Sequence, residues 1–115
     1  NGHTETALIL ASRYGHTKIV AMLLEKGADV DAKDKNGQTA LYWASFYGHT
    51  DIVVMLLERG ADVNAKSNNG GWTALNVAKR NGHTKIVRLL KQYGAKERIV
   101  RLFGDYDGAK EKEYK

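Results

Sequence analysis

The hexapeptide Gly-His-Thr-x-Ile-Val occurs three times, at residues 15–20, 48–53 and 82–87, so the chain steps by 33 and then 34 residues. Self-similarity at this spacing means short units, each too small to bury its own apolar face. Such units must stack on their neighbours. The functional question becomes what the stacked surface holds.

Residues 6–33 and 39–66 align without gaps and agree at 21 of 28 positions. Each unit predicts the same layout. Thr6, Thr39 and Thr73 are placed to cap a short first helix, and Gly15, Gly48 and Gly82 to end it where positive φ is wanted. In the second helix Ile19, Val20, Leu23 and Leu24 form a stripe on one face, and Gly27 and Gly60 end that helix. The segment Ala-Asp-Val-Asp/Asn-Ala, followed by Asn36-Gly37 or Asn69-Gly70-Gly71, predicts a hairpin-like excursion. The unit is helix, turn, helix, projecting loop.

These residues carry a family resemblance. Thr39-Ala40-Leu41, Ala44-Ser45, Gly48-His49, Ile52-Val53, Leu56-Leu57 and Gly60-Ala61-Asp62-Val63-Asn64-Ala65 resemble the ankyrin repeat over roughly residues 3 to 96. Two features depart from its pattern. Ala7, Ala40 and Ala74 stand where the family prefers Pro, which Ala, a strong helix former, tolerates. Ile9, Tyr42 and Asn76 stand where it has His, which removes a buried hydrogen-bond link. The resemblance implies an all-α fold with short β-hairpin loops, an ankyrin-repeat solenoid. The expected domain is 1–103, with repeats at about 3–35, 36–68 and 69–96. Ile99, Val100, Leu102 and Phe103 predict a closing helix at about 97–103. Residues 104–115 are expected to be a polar, frayed tail.

Catalytic chemistry finds little support. With no Cys, a thiolate nucleophile, a disulfide framework and a zinc finger are excluded. His16, His49 and His83 recur one helix-packing distance apart, about 8–10 Å, whereas zinc ligands all lie about 2 Å from one ion. They are expected to be structural, and no metal or cofactor is expected. Asp29/Asp31 and Asp62/Asn64 recur in every loop and are expected to be architectural. Residues 68–71 lack the Lys-Ser/Thr of a phosphate loop, and Ser12 and Ser45 have no His or acid at suggestive spacing. No apolar run is long enough to span a membrane and no signal peptide is visible. A non-enzymatic, intracellular chain is expected, cytoplasmic by default, or in a host cell if it is a microbial or viral effector.

The ends differ. In the third unit Lys79, Arg88 and Lys91 replace Ser45, Val54 and Leu57, as a water-facing cap requires. In the first, Ile9, Leu10, Ala21 and Met22 stay apolar, and residues 1–5 are too short for a capping helix. With Asn1 in place of Met, a missing preceding repeat is expected, or a docking face. Net charge runs −1, 0 and +6 over residues 1–34, 35–67 and 68–115, summing to +5.

By resemblance, binding falls to the ends of the first helices and to the loop tips. The candidates are Arg13-Tyr14, Phe46-Tyr47 and Arg80-Asn81 on the helices. Lys35, Asn36, Gln38, Asn68, Asn69 and Trp72 lie at the tips, with Lys33 and Lys66 beside them. The extra residue at Gly70-Gly71 gives Trp72 an unusual place. Tyr42 and Trp43 are expected in the core. The resemblance also implies a candidate hydroxylation at Asn64, in Val63-Asn64-Ala65 with Leu56 eight residues earlier, though a side chain bonding its own loop is the expected role. The function expected is protein–protein recognition by a monomer. The alternatives are binding of nucleic acid or an anionic surface by the basic C-terminal end, or self-association through the first unit.

Overall fold

The computed structural model describes residues 2–96, and six helices there alternate between two layers. The first helices, α1 (Gly2–Tyr14), α3 (Ala40–Tyr47) and α5 (Ala74–Arg80), pack side by side. The second helices, α2 (Thr17–Glu25), α4 (Thr50–Glu58) and α6 (Thr84–Gln92), lie behind them. This is the ankyrin-type solenoid. The segments expected as a closing helix (97–103) and tail (104–115) lie outside the described residues.

Local chemistry sets the helix ends. Thr39 Oγ1 accepts the Tyr42 amide at 3.1 Å. Thr73 Oγ1 accepts the Asn76 amide at 3.2 Å, while Asn76 Oδ1 accepts the Thr73 amide at 3.1 Å and completes a reciprocal cap. Asn76 thus supplies a buried polar link within its own repeat. Thr6 does not cap: α1 starts at Gly2, and residues 2–5 extend it instead of lying outside a helix. Thr39 and Thr73 leave a loop in extended backbone, ψ 172° and 170°, which stops a helix from running back. No such loop precedes Thr6, and Glu5 in the first turn suits the positive end of the helix dipole.

The core is periodic. Leu8, Leu41 and Leu75, one from each first helix, meet Val20, Ile52, Val53, Leu56, Ile86 and Leu90 of the second layer. Ser12 and Ser45 are fully buried, with hydroxyls that find no acceptor or donor. Close packing of the first helices demands a small side chain there. Ile9, expected on the open face of the first unit, is also buried. Leu10, Ile19 and Met22, together with Tyr14, are the large apolar side chains that unit's helices leave exposed.

The loops are tight turns rather than paired strands. Gly37 donates to the Asp34 carbonyl and Asp34 to that of Gln38, both at 2.9 Å. A single antiparallel bridge, Lys33 to Thr39, closes the first loop. Successive loops are also bonded. Asp31 Oδ1 accepts the Asp62 amide at 2.8 Å, and Asn64 Oδ1 accepts the Lys96 amide at 2.9 Å. Asn64 Nδ2 donates to the Gly94 carbonyl at 3.3 Å. The Asn64 side chain therefore ties two repeats together instead of bonding its own loop.

Between helices the repeats are joined by histidine. His49 Nε2 lies 3.0 Å from the Arg13 carbonyl, and His83 Nε2 3.0 Å from that of Phe46. Each ring covers the glycine that ends the preceding first helix. A Cβ on Gly48 would stand 2.7 Å from His83 Cε1, whereas one on Gly27 would meet nothing within 4 Å. Both glycines are left-handed, at φ 82° and 86°. Gly27→Ala should therefore cost backbone strain alone, about 1–2 kcal/mol. Gly48→Ala should cost at least about 1 kcal/mol more, because the ring must move and its bond is lost. Urea denaturation of both variants measures the difference, and equal losses would disprove the contact.

Candidate functional site

Three equivalent positions, Arg13, Phe46 and Arg80, lie two residues before the glycine that ends each first helix. The Arg13 guanidinium sits 4.5 Å from the Trp43 ring centre and 5.4 Å from that of Tyr14. Arg80 sits 5.5 Å from the Trp72 ring centre. Between the two arginines runs a ridge of four rings from α3. Their spacing at i, i+1, i+4 and i+5 gathers them on one side of the helix.

Ridge contacts are close. Tyr42 meets Trp43 edge to face at 5.2 Å, Trp43 meets Phe46 at 5.7 Å, and Phe46 meets Tyr47 at 4.8 Å. Trp43 and Tyr47 stack at 6.1 Å. Such pairs add about 0.5–1.5 kcal/mol beyond area burial, so the ridge is a fixed feature. Its outer edge is still wet, with Tyr47 at 46% and Tyr14 at 61% exposure.

A groove lies on each side. The larger, about 370 Å³, is bounded by Gln38, Tyr42, Phe46, Asn69, Trp72, Val77 and Arg80. The smaller, about 240 Å³, runs along α1 past Glu5, Leu10, Arg13, Lys33, Asp34 and Trp43. Trp72 reaches the larger groove because Gly70 and Gly71 are both left-handed, φ 79° and 68°. The chain reverses there, and Ser67 holds the turn closed: its amide donates to the Trp72 carbonyl at 2.8 Å. Its hydroxyl accepts the Trp72 amide at 3.1 Å.

The residues expected from sequence divide into three groups. Arg13, Tyr14, Phe46, Tyr47, Gln38, Asn69, Trp72, Arg80 and Lys33 surround the ridge and its grooves. Lys35, Asn36 and Lys66 are exposed but border neither groove. Asn68 and Asn81 serve the scaffold. Asn68 Nδ2 donates to the Lys35 carbonyl at 3.3 Å, and Asn81 Nδ2 to that of Phe46 at 3.0 Å.

Tyr42 and Trp43 are only half-buried and must be moved from core to surface. Trp43 still packs on the core with one edge, but Arg13 covers its other side. The signal for both was their variability: Ile9 and Leu10, or Asn76 and Val77, occupy the same places in the other units. Burial pushes the Tyr42 phenol above its ordinary pKa, with a Gln38 hydrogen bond opposing and the Asp34 charge adding to the shift. At neutral pH it is an uncharged hydroxyl.

Among the described residues, no group of three or more His, Asp or Glu side chains gathers to hold a metal ion. No helix there is long and apolar enough to cross a membrane.

A family model described as ankyrin repeats in three copies matches residues 1–67, and a single ankyrin-repeat model matches residues 70–102. The chain belongs to the ankyrin-repeat family. Repeats of this family are generally protein–protein interaction modules and typically non-catalytic scaffolds. Among curated proteins, the chain is similar to E3 ubiquitin-protein ligase XBAT33 of Arabidopsis thaliana, 42% identical over 89 residues. The match covers 77% of this chain and 17% of that protein.

Asp34 organises the first loop beneath this surface. Oδ1 accepts the Asn36 and Gln38 amides, each at 2.9 Å, and Oδ2 accepts Trp43 Nε1–H at 3.1 Å. Asp34→Ala strands three donors and should cost about 1–3 kcal/mol. Amide exchange at Asn36 and Gln38 should quicken with it, and unchanged exchange would mean that the carboxylate does not hold the loop.

Proposed function

We propose that the chain is a protein-binding module whose contact surface is the aromatic ridge with its flanking arginines and loop tips, and that it performs no catalysis. The observation that carries this reading is the exposed edge of the ridge. Tyr14 and Tyr47 stay wet beside Trp43, Trp72 and two arginines, and Tyr, Trp and Arg dominate interface energetics. The surrounding scaffold supports it, because the strip's mounting points are held by hydrogen bonds between repeats and need little ordering on binding.

The relative's ligase activity is not carried over, since the match spans 17% of that protein. Recruitment of a protein target to a larger assembly is compatible with the same surface. An intracellular setting fits a chain without cysteine.

The test is capture by the immobilised chain, compared with a Tyr47→Ala/Trp72→Ala variant of unchanged thermal stability. A specific partner should bind the variant at least about tenfold more weakly, the loss expected when two aromatic anchors are truncated. A partner retained equally by both would move the interface elsewhere.

A further inference from the structure

The strip resting on that protein-binding reading is unevenly charged, and the unevenness has a geometry. Neither α3 nor α5 contains an acidic residue, and residues 66–73 of the second loop contain none. Glu5 and Asp34 are the acids that line the grooves, while Asp29, Asp31 and Asp62 lie in the loops and border neither. Asp34 is occupied by three hydrogen bonds. Glu5 lies eight residues before Arg13 on α1, about 12 Å away along the helix. Acids at Asp51, Glu25 and Glu58 belong to the second layer.

Against this background Arg13 and Arg80 stand out. Each carries its guanidinium over an indole, with the central carbon 4.5 Å from the Trp43 ring centre for Arg13 and 5.5 Å from the Trp72 ring centre for Arg80. Neither has a carboxylate partner among the described residues; Arg13 Nε is buried, so the two terminal amino groups are the donors Arg13 has for a partner. Stacking holds such a fork in place, and a carboxylate is the group it matches in two parallel bonds.

We infer that the strip binds an extended acidic segment of a protein partner, with one carboxylate on Arg13, one on Arg80 and an apolar side chain between them in the Tyr42–Phe46–Trp72 groove. Spacing defines the ligand. Arg13 and Arg80 occupy equivalent positions two repeats apart, and at about 8–10 Å per helix step their separation is about 16–20 Å. An extended chain advances about 3.3 Å per residue, so the two acids stand about five or six residues apart. A single-stranded nucleic acid is the poorer fit. Ridge rings pack against one another and two indole faces are covered by arginine, which leaves few faces for bases to stack on.

Fluorescence anisotropy with labelled nonapeptides tests this. The first peptide carries two glutamates six residues apart with a leucine four residues from one of them, so that all three side chains share one face of the extended chain. A second carries them two apart, and a third has glutamine at both places. The first should bind the chain about tenfold or more tightly than either control, and Arg13→Lys or Arg80→Lys, each checked by thermal melting, should remove most of that preference. Equal binding of the three peptides would overturn the inference, as would a labelled oligodeoxythymidine binding more tightly than the first peptide. If no peptide binds but the Tyr47→Ala/Trp72→Ala variant still loses its captured partner, the carboxylate reading fails and the protein-binding reading stands. If capture is also indifferent to that variant, both fall.

Discussion

The structure depends on one contact repeated along the stack, a histidine ring lying on a left-handed glycine of the repeat before it. The glycine ends the first helix, and without a Cβ it lets the ring approach closely enough to reach a carbonyl two residues back. That carbonyl belongs to Arg13 in one repeat and to Phe46 in the next. The latch that joins repeats is thus fixed to the backbone of residues that project from the surface. The invariant chemistry faces inward through the main chain, and the variable side chain is free to differ. This arrangement lets a repeat protein change its binding surface without loosening its stack.

Much of this was legible in the sequence because it is local chemistry. The period, the helix pairs, the glycine stops and the caps at Thr39 and Thr73 each follow from residue types at short spacing. The start of α1 was not, because Thr6 has the right side chain but lacks the extended loop that makes Thr39 and Thr73 stop a helix. The hydrogen bonds of the Asn64, Asn68 and Asn81 side chains were not legible, for another reason. Each side chain bonds a carbonyl or amide at least thirty positions away, at Gly94 and Lys96, at Lys35 and at Phe46, and local spacing says nothing about such partners. Tyr42 and Trp43 look like core residues by hydrophobicity. Their place depends on Arg13 from the preceding helix and Trp72 from the following loop, which vary between units and carry no periodic signal.

Polar groups divide sharply between scaffold and surface. Carbonyls near the strip accept from His49, His83, Asn68 and Asn81, and the Asp34 carboxylate accepts from two amides and an indole. Buried donors and acceptors left unpaired would cost about 1–3 kcal/mol each, so these bonds keep the tips in register. What remains outward is ring edge, phenol and guanidinium. Those groups favour a partner that offers apolar surface and negative charge together, because a stacked guanidinium loses little entropy when it takes up a carboxylate.

The single break in periodicity, 33 residues to one step and 34 to the next, falls where it disturbs the stack least. One more residue in a loop adds only a fraction of a kcal/mol in closure entropy, and the helices on either side keep their packing. Its effect on the surface is large. With Gly70 and Gly71 both left-handed, the chain turns back on itself, and Ser67 fixes the reversal through the Trp72 backbone. The indole then closes one side of the larger groove and gives Arg80 a face to rest on. In the first loop, which lacks the additional glycine, Gln38 occupies the corresponding place, and Arg13 finds its indole on the neighbouring helix instead. Two arginines thus reach comparable environments by different routes, one through a substitution at Trp43 and one through an insertion before Trp72. Helix periodicity alone would supply neither indole. The surface chemistry therefore resides in the departures from the repeat, and the repeat supplies the spacing at which those departures are held.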